Sequence, residues 1–160
     1  MNWVKSHFRR YGERKPWGFC WRIAIEGTLV TLAVGVILGL LGLGERDLKM
    51  DFAVLVFAGV IAAPLLETLL FQAFPVWIAR LCKARLSIQI VASVVPFFLV
   101  HAIEGIGTGI AAGLIGGFYF AFTYVHWRVR GRWAAFWVTA VSHSIHNGIL
   151  IALAFAFGEI

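Results

Sequence analysis

The chain has 160 residues, of which 61% are hydrophobic and 14% charged, with a mean hydropathy of +0.86. A soluble domain averages about 45–50% apolar and about 25% charged residues, and 17.7 kDa offers a single core in which to hide the surplus. This composition argues against a soluble enzyme, a nucleic-acid binder or a disordered regulator, and for an integral membrane protein. The formal charge is +6, and its placement along the chain, taken up below, explains it without a nucleic-acid partner. Cys20 and Cys82 are too few for a disulfide framework and match no metal or redox spacing, so they read as packing residues.

In chain order, residues 1–22 form a basic, aromatic tail. The apolar run 23–43, interrupted only by Glu26, lacks a small-residue cleavage site and exceeds the about 7–15 residues of a signal core. It reads as a retained first span. A short charged loop, Glu45 to Asp51, leads to the run 52–79, which contains Pro64, Glu67 and Pro75. At ~1.5 Å per residue this run reaches ~42 Å, beyond the ~30 Å hydrocarbon core. It is expected to tilt or break, nearest Pro64. Further spans are predicted at 87–103, 107–126 and 134–157. None shows the period-two alternation of a barrel strand. The expectation is an all-α polytopic membrane bundle of five transmembrane helices, a single domain over 23–157.

Lys and Arg orient such a bundle. Six lie in 1–22, three at Arg80, Lys83 and Arg85, and three at Arg128, Arg130 and Arg132; only Arg46 and Lys49 fall on the other side. Five spans then put the N-terminus in the cytoplasm and the C-terminus outside. Trp17, Trp21, Trp77, Trp127 and Trp133 lie near the basic side, as an interfacial belt would.

Ionisable groups inside a bilayer are costly and are functional candidates by default. Glu26, one turn from Arg22, reads as a paired structural residue. His126 beside Trp127, His7 in the tail and Glu104 at the outer end of the third span read as ordinary. Glu67, His101, His143 and Asn147 differ. Counted from the basic end of each run at ~1.5 Å per residue, Glu67, His101 and Asn147 lie ~21 Å deep and His143 ~15 Å. Three helices thus bring polar groups to one level, and the four-residue spacing puts His143 and Asn147 on one face.

These residues stand in three stretches: Ala63-Pro64-Leu65-Leu66-Glu67-Thr68-Leu69-Leu70-Phe71-Gln72, Phe97-Phe98-Leu99-Val100-His101, and His143-Ser144-Ile145-His146-Asn147. In order and approximate separation they resemble the CAAX protease and bacteriocin-processing family of intramembrane endopeptidases, also called the Abi or type II CAAX prenyl-endopeptidase-like family. The likeness covers about 52–157. The family's second glutamate is Thr68 here and its arginine is Gln72, so an ion pair at i, i+4 is replaced by two neutral groups.

The resemblance implies peptide-bond hydrolysis in a membrane-tethered or lipid-modified substrate, in a bacterial inner membrane. Glu67 and His101 would hold and deprotonate a water, and His143 and Asn147 would donate to the oxyanion. Thr68, Phe71, Gln72 and Phe97 would form the surroundings, and His146, adjacent to Asn147 and three residues from His143, is a further candidate outside the family's pattern. No cofactor is favoured; zinc held by Glu67, His101 and His143 is the mechanistic rival, though no His-Glu-x-x-His signature is present. The Thr68 and Gln72 replacements favour an alternative, a catalytically silent scaffold, immunity protein or accessory subunit among other membrane subunits. A third, weaker alternative is a transporter using Glu67 and the histidines as a proton relay. Small-residue ladders, Gly109-x-x-x-Gly113-x-x-x-Gly117 and Gly35-x-x-x-Gly39, read as helix-packing surfaces.

Overall fold

The computed structural model describes Tyr11, residues 15–43 and residues 51–158. His7, most of the basic tail, Glu45, Arg46 and Lys49 lie outside the described residues. Within them the chain is entirely helical: α1 Pro16–Leu40, α2 Phe52–Leu81, α3 Leu86–Ala102, α4 Ile106–Arg130 and α5 Arg132–Ala156. Four are long and apolar enough to cross a membrane, and α3 is shorter at 17 residues. The chain is an all-α helix bundle and an integral membrane protein.

Helix α1 starts ahead of the expected boundary at 23, so Arg22 is helical rather than part of a tail. Pro16 favours this start, because its ring presets φ where an N–H would have no partner. Asp51 caps α2, its Oδ1 accepting from the Ala53 and Val54 amides at 2.9 and 3.3 Å. Between α3 and α4, and between α4 and α5, the turns rely on Gly105 (φ +132°) and Gly131 (φ +125°), a region that side chains resist.

Helix α2 is not broken at Pro64. Its backbone stays in the right-handed helical region at Val56, Ala62, Glu67 and Ala73. Instead it widens twice into π-helix, over Phe57–Ala62 and Thr68–Ala73, and each widening ends two residues before a proline. A proline ring collides with the carbonyl four residues back, and a turn bonded five residues back moves that carbonyl aside.

The bundle is arranged with its polar side chains inward. Thr68, Gln72, Ser93, Thr123, Thr139 and Ser142 are fully buried, whereas Leu29, Val36, Leu66, Leu69, Val91 and Leu99 are exposed. In hydrocarbon there is no gain from hiding leucine, so polar contacts and close packing hold helices together. Glu26 belongs to this interior: the Tyr119 hydroxyl donates to Oε1 at 3.1 Å and the Tyr11 hydroxyl donates to Oε2. Both tyrosines thus pair with it. Burial, and next the Glu26 carboxylate, raise the Tyr11 hydroxyl above the ordinary phenol range.

Helix α4 contacts α1, α3 and α5, and its glycine ladder seats α3. A Cβ at Gly109 would stand 2.8 Å from the Ala102 Cβ, at Gly113 2.7 Å from the Phe98 Cα, and at Gly117 2.7 Å from the Phe97 ring. The second ladder does not behave this way, since a Cβ at Gly35 or Gly39 would meet nothing within 4 Å. Gly113→Ala should therefore force α3 away from α4 and lower stability by about 1–3 kcal/mol, whereas Gly35→Ala should not destabilise. Thermal unfolding of the two variants in mild detergent checks this; equal melting temperatures would contradict it.

Candidate active site

Glu67 on α2 and His143 on α5 meet across the bundle, with His143 Nε2 3.6 Å from Glu67 Oε2. That is longer than a hydrogen bond. The imidazole is 3% exposed and the carboxylate 24%, so the pair has one sealed side and one open side. Leu66, Leu69 and Leu70 flank Glu67 on the exposed surface of α2, so the open side faces where lipid would lie.

Aromatic rings fix the histidines. His143 stacks on Phe120 of α4, centroids 3.9 Å apart and planes 24° from parallel. Phe97 of α3 lies 4.4 Å from the His101 ring, 6.1 Å from His143 and 5.5 Å from Phe71. Phe97 is fully buried and presses on Gly117, so the glycine ladder sets the position of both histidines' aromatic neighbour. His101 Nδ1 stands 2.8 Å from the Phe97 carbonyl. A carbonyl only accepts, so the ring proton sits on Nδ1 and Nε2 is the basic nitrogen.

Asn147 has a different first task. In the first π turn of α2 the Ala63 amide donates to Ala58, five residues back. The Gly59 carbonyl thereby loses its α-helical donor, and its π-helical donor would be residue 64, a proline with no N–H. Asn147 Nδ2 donates to that carbonyl at 2.8 Å. At the second proline the count is one residue shorter, four instead of five. Phe71 would accept from residue 75, which is Pro75, and Ser93 of α3 supplies the missing donor at 2.7 Å. Each proline of α2 thus frees a carbonyl that another helix captures.

The structure therefore brings Glu67 to His143, both His143 and His101 to Phe97, and Asn147 to the backbone of α2. His146 is spent elsewhere, its Nδ1 2.9 Å from Thr28 Oγ1 of α1. His126 packs between Phe19 and Phe122, and Glu104 is exposed in the α3–α4 turn. The zinc alternative is not supported by the side-chain placement. His101 turns onto its own helix, and among the described residues no three His, Cys, Asp or Glu side chains could hold a metal ion. Thr68 and Gln72 are fully buried, and among the described residues Thr68 Oγ1 and both polar atoms of Gln72 lack a hydrogen-bond partner.

Sequence reasoning missed Phe120, Thr139 and the Gly59 carbonyl. Phe120 lies within the aromatic run 118–120 and carries no motif. Gly59 could have been found by counting five residues back from Pro64.

The chain matches no family model, no curated protein and no solved structure.

A double-mutant cycle tests the proline-freed carbonyl. Asn147→Ala should cost about 1–3 kcal/mol, the usual penalty for stranding a buried polar group. Pro64→Ala returns an N–H to residue 64, so in that background the same substitution should cost about 1 kcal/mol less. Strictly additive losses in detergent unfolding would contradict the assignment.

Proposed function

We propose that the chain is an intramembrane endopeptidase of the CAAX protease and bacteriocin-processing type, cutting a membrane-tethered or lipid-modified peptide. The observation that carries this reading is the contact of Glu67 with His143 from helices far apart in sequence, sealed behind and open towards lipid. A substrate confined to the bilayer would approach from that side. The basic loops of the α2–α3 and α4–α5 ends lie at the cytoplasmic face in this reading, the N-terminus inside and the C-terminus outside a bacterial inner membrane.

In the reaction, Glu67 takes a proton from a water held between its carboxylate and His101 Nε2. The resulting hydroxide adds to the scissile carbonyl carbon. His143 Nε2–H and the second Nδ2–H of Asn147, the one not bonded to Gly59, donate to the oxyanion. Glu67 then hands its proton to the leaving nitrogen as the C–N bond breaks. Donors of this kind act strongly in a dry site, where one is worth about 10²–10³ in rate. Asn147 has a double duty, since the bond that positions α2 also orients its free N–H.

A second reading, a catalytically silent scaffold or accessory subunit, is favoured by Thr68 and Gln72, which replace the family's ion pair. Glu67→Gln separates the two. In proteoliposomes presenting lipid-anchored or single-span peptides, the wild-type chain should cleave and Glu67→Gln should not, while melting at an unchanged temperature. His143→Ala should retain residual activity, lower by about 10²–10³. Undiminished cleavage by Glu67→Gln would end the glutamate mechanism.

A further inference from the structure

Five buried polar atoms stand within five residues of Glu67 on α2 or of His143 on α5, and no hydrogen bond among the described residues accounts for them: Thr68 Oγ1, Gln72 Oε1 and Nε2, Thr139 Oγ1, and His143 Nδ1. Thr68, Gln72 and Thr139 are fully buried and His143 is 3% exposed. Their positions coincide in depth. The Glu67–His143 contact fixes the register of α2 against α5. From that contact, Gln72 lies about one turn along α2 towards the basic loops. Thr139 lies four residues, or ~6 Å, back along antiparallel α5 in the same direction. The π segment Thr68–Ala73 packs against α3, α4 and α5, so its fully buried Thr68 and Gln72 face the interior of the bundle.

Leaving such groups unpaired is costly, and interior polar groups are satisfied by protein or by buried water. A buried water takes two to four polar partners. This set offers two hydroxyls, an amide that both donates and accepts, and an imidazole nitrogen. The carbonyl cap on His101 and the bond from Asn147 to Gly59 are already made elsewhere, so neither competes for it.

We infer that Thr68, Gln72, Thr139 and His143 enclose an internal water site directly behind Glu67, from which the attacking water is drawn. The site itself stands apart from the hydrolytic reading; its use as the water supply rests on that reading. Where the family places a glutamate and an arginine, this chain holds neutral groups that can donate and accept. Water accepted at His143 Nδ1 also keeps the ring proton on Nε2, where it faces Glu67.

X-ray-generated hydroxyl radicals label side chains next to internal water, which tests the site with the intact chain in lipid nanodiscs. Oxidation of His143 and Phe120 should be clear in the wild type and lost in Thr68→Val/Gln72→Met/Thr139→Val. Oxidation of Phe19, equally buried beside Trp127, should not change. A rise at Phe19 would report misfolding of the triple variant, and Gln72→Met alone then serves, with a smaller loss expected at His143. Unchanged labelling of His143 and Phe120 in a folded variant overturns the site. In cleaving proteoliposomes, Gln72→Met should lower kcat by up to about 10²-fold with KM unchanged. Responsive labelling in a chain that cleaves nothing upholds the water site and removes the hydrolytic reading. Cleavage with unresponsive labelling does the reverse.

Discussion

In hydrocarbon every backbone carbonyl must find a donor within the protein, and two prolines in α2, Pro64 near its middle and Pro75 towards its basic end, remove donors. The bond from Asn147 Nδ2 to the Gly59 carbonyl answers the first loss, and the bond from Ser93 to the Phe71 carbonyl answers the second. These two side chains come from α5 and α3, so the prolines tie α2 to both neighbours. Glu67 lies between the two fastened carbonyls, on the short α-helical stretch that separates the π turns. The carboxylate is held opposite His143 because the backbone on either side of it is bound to other helices.

The third member of the site is set by packing. Glycines at 109, 113 and 117 let α3 approach α4 so closely that methyl groups would not fit. That approach presses Phe97 against α4 and into contact with His101, while Phe120 of α4 stacks on His143. Packed against both Phe120 and Phe97, the His143 ring has little freedom to turn. The polar interior then continues through Thr68, Gln72 and Thr139, the reverse of the pattern in a soluble protein and the expected one in lipid.

Much of the fold was legible in the sequence because the membrane imposes length and polarity on each segment. The five apolar runs map onto the five helices, and ionisable residues deep in the runs are rare enough that Glu67, His101 and His143 stood out, with Asn147 one turn from His143. What was not legible depends on helix-to-helix register. The expected break at Pro64 became a π turn, since a donor from α5 makes continuity cheaper than interruption. The start of α1 fell at Pro16 because basic and tryptophan residues are as comfortable in a helix at the interface as in a tail. Gly35 and Gly39 carry the same spacing as the α4 ladder yet face open space, and spacing alone does not say which face meets a neighbour. Asn147 was read as an oxyanion donor from its place in a motif, and only the backbone of α2 reveals the bond its amide makes to Gly59.

The bond between Asn147 and Gly59 can be measured directly. The chain has two asparagines, Asn2 and Asn147, so side-chain ¹⁵N labelling of asparagine with carbonyl ¹³C labelling of glycine isolates the contact in lipid bilayers. A donor ~2.9 Å from the oxygen lies about 4 Å from its carbon, and Gly148, next in the chain, provides the background. Solid-state dipolar dephasing of the Asn147 amide should show that short distance and lose it in Gly59→Ala, which removes the label but keeps the carbonyl. Dephasing that is the same in both chains would contradict the account, because Asn147 would then not be holding α2 in place.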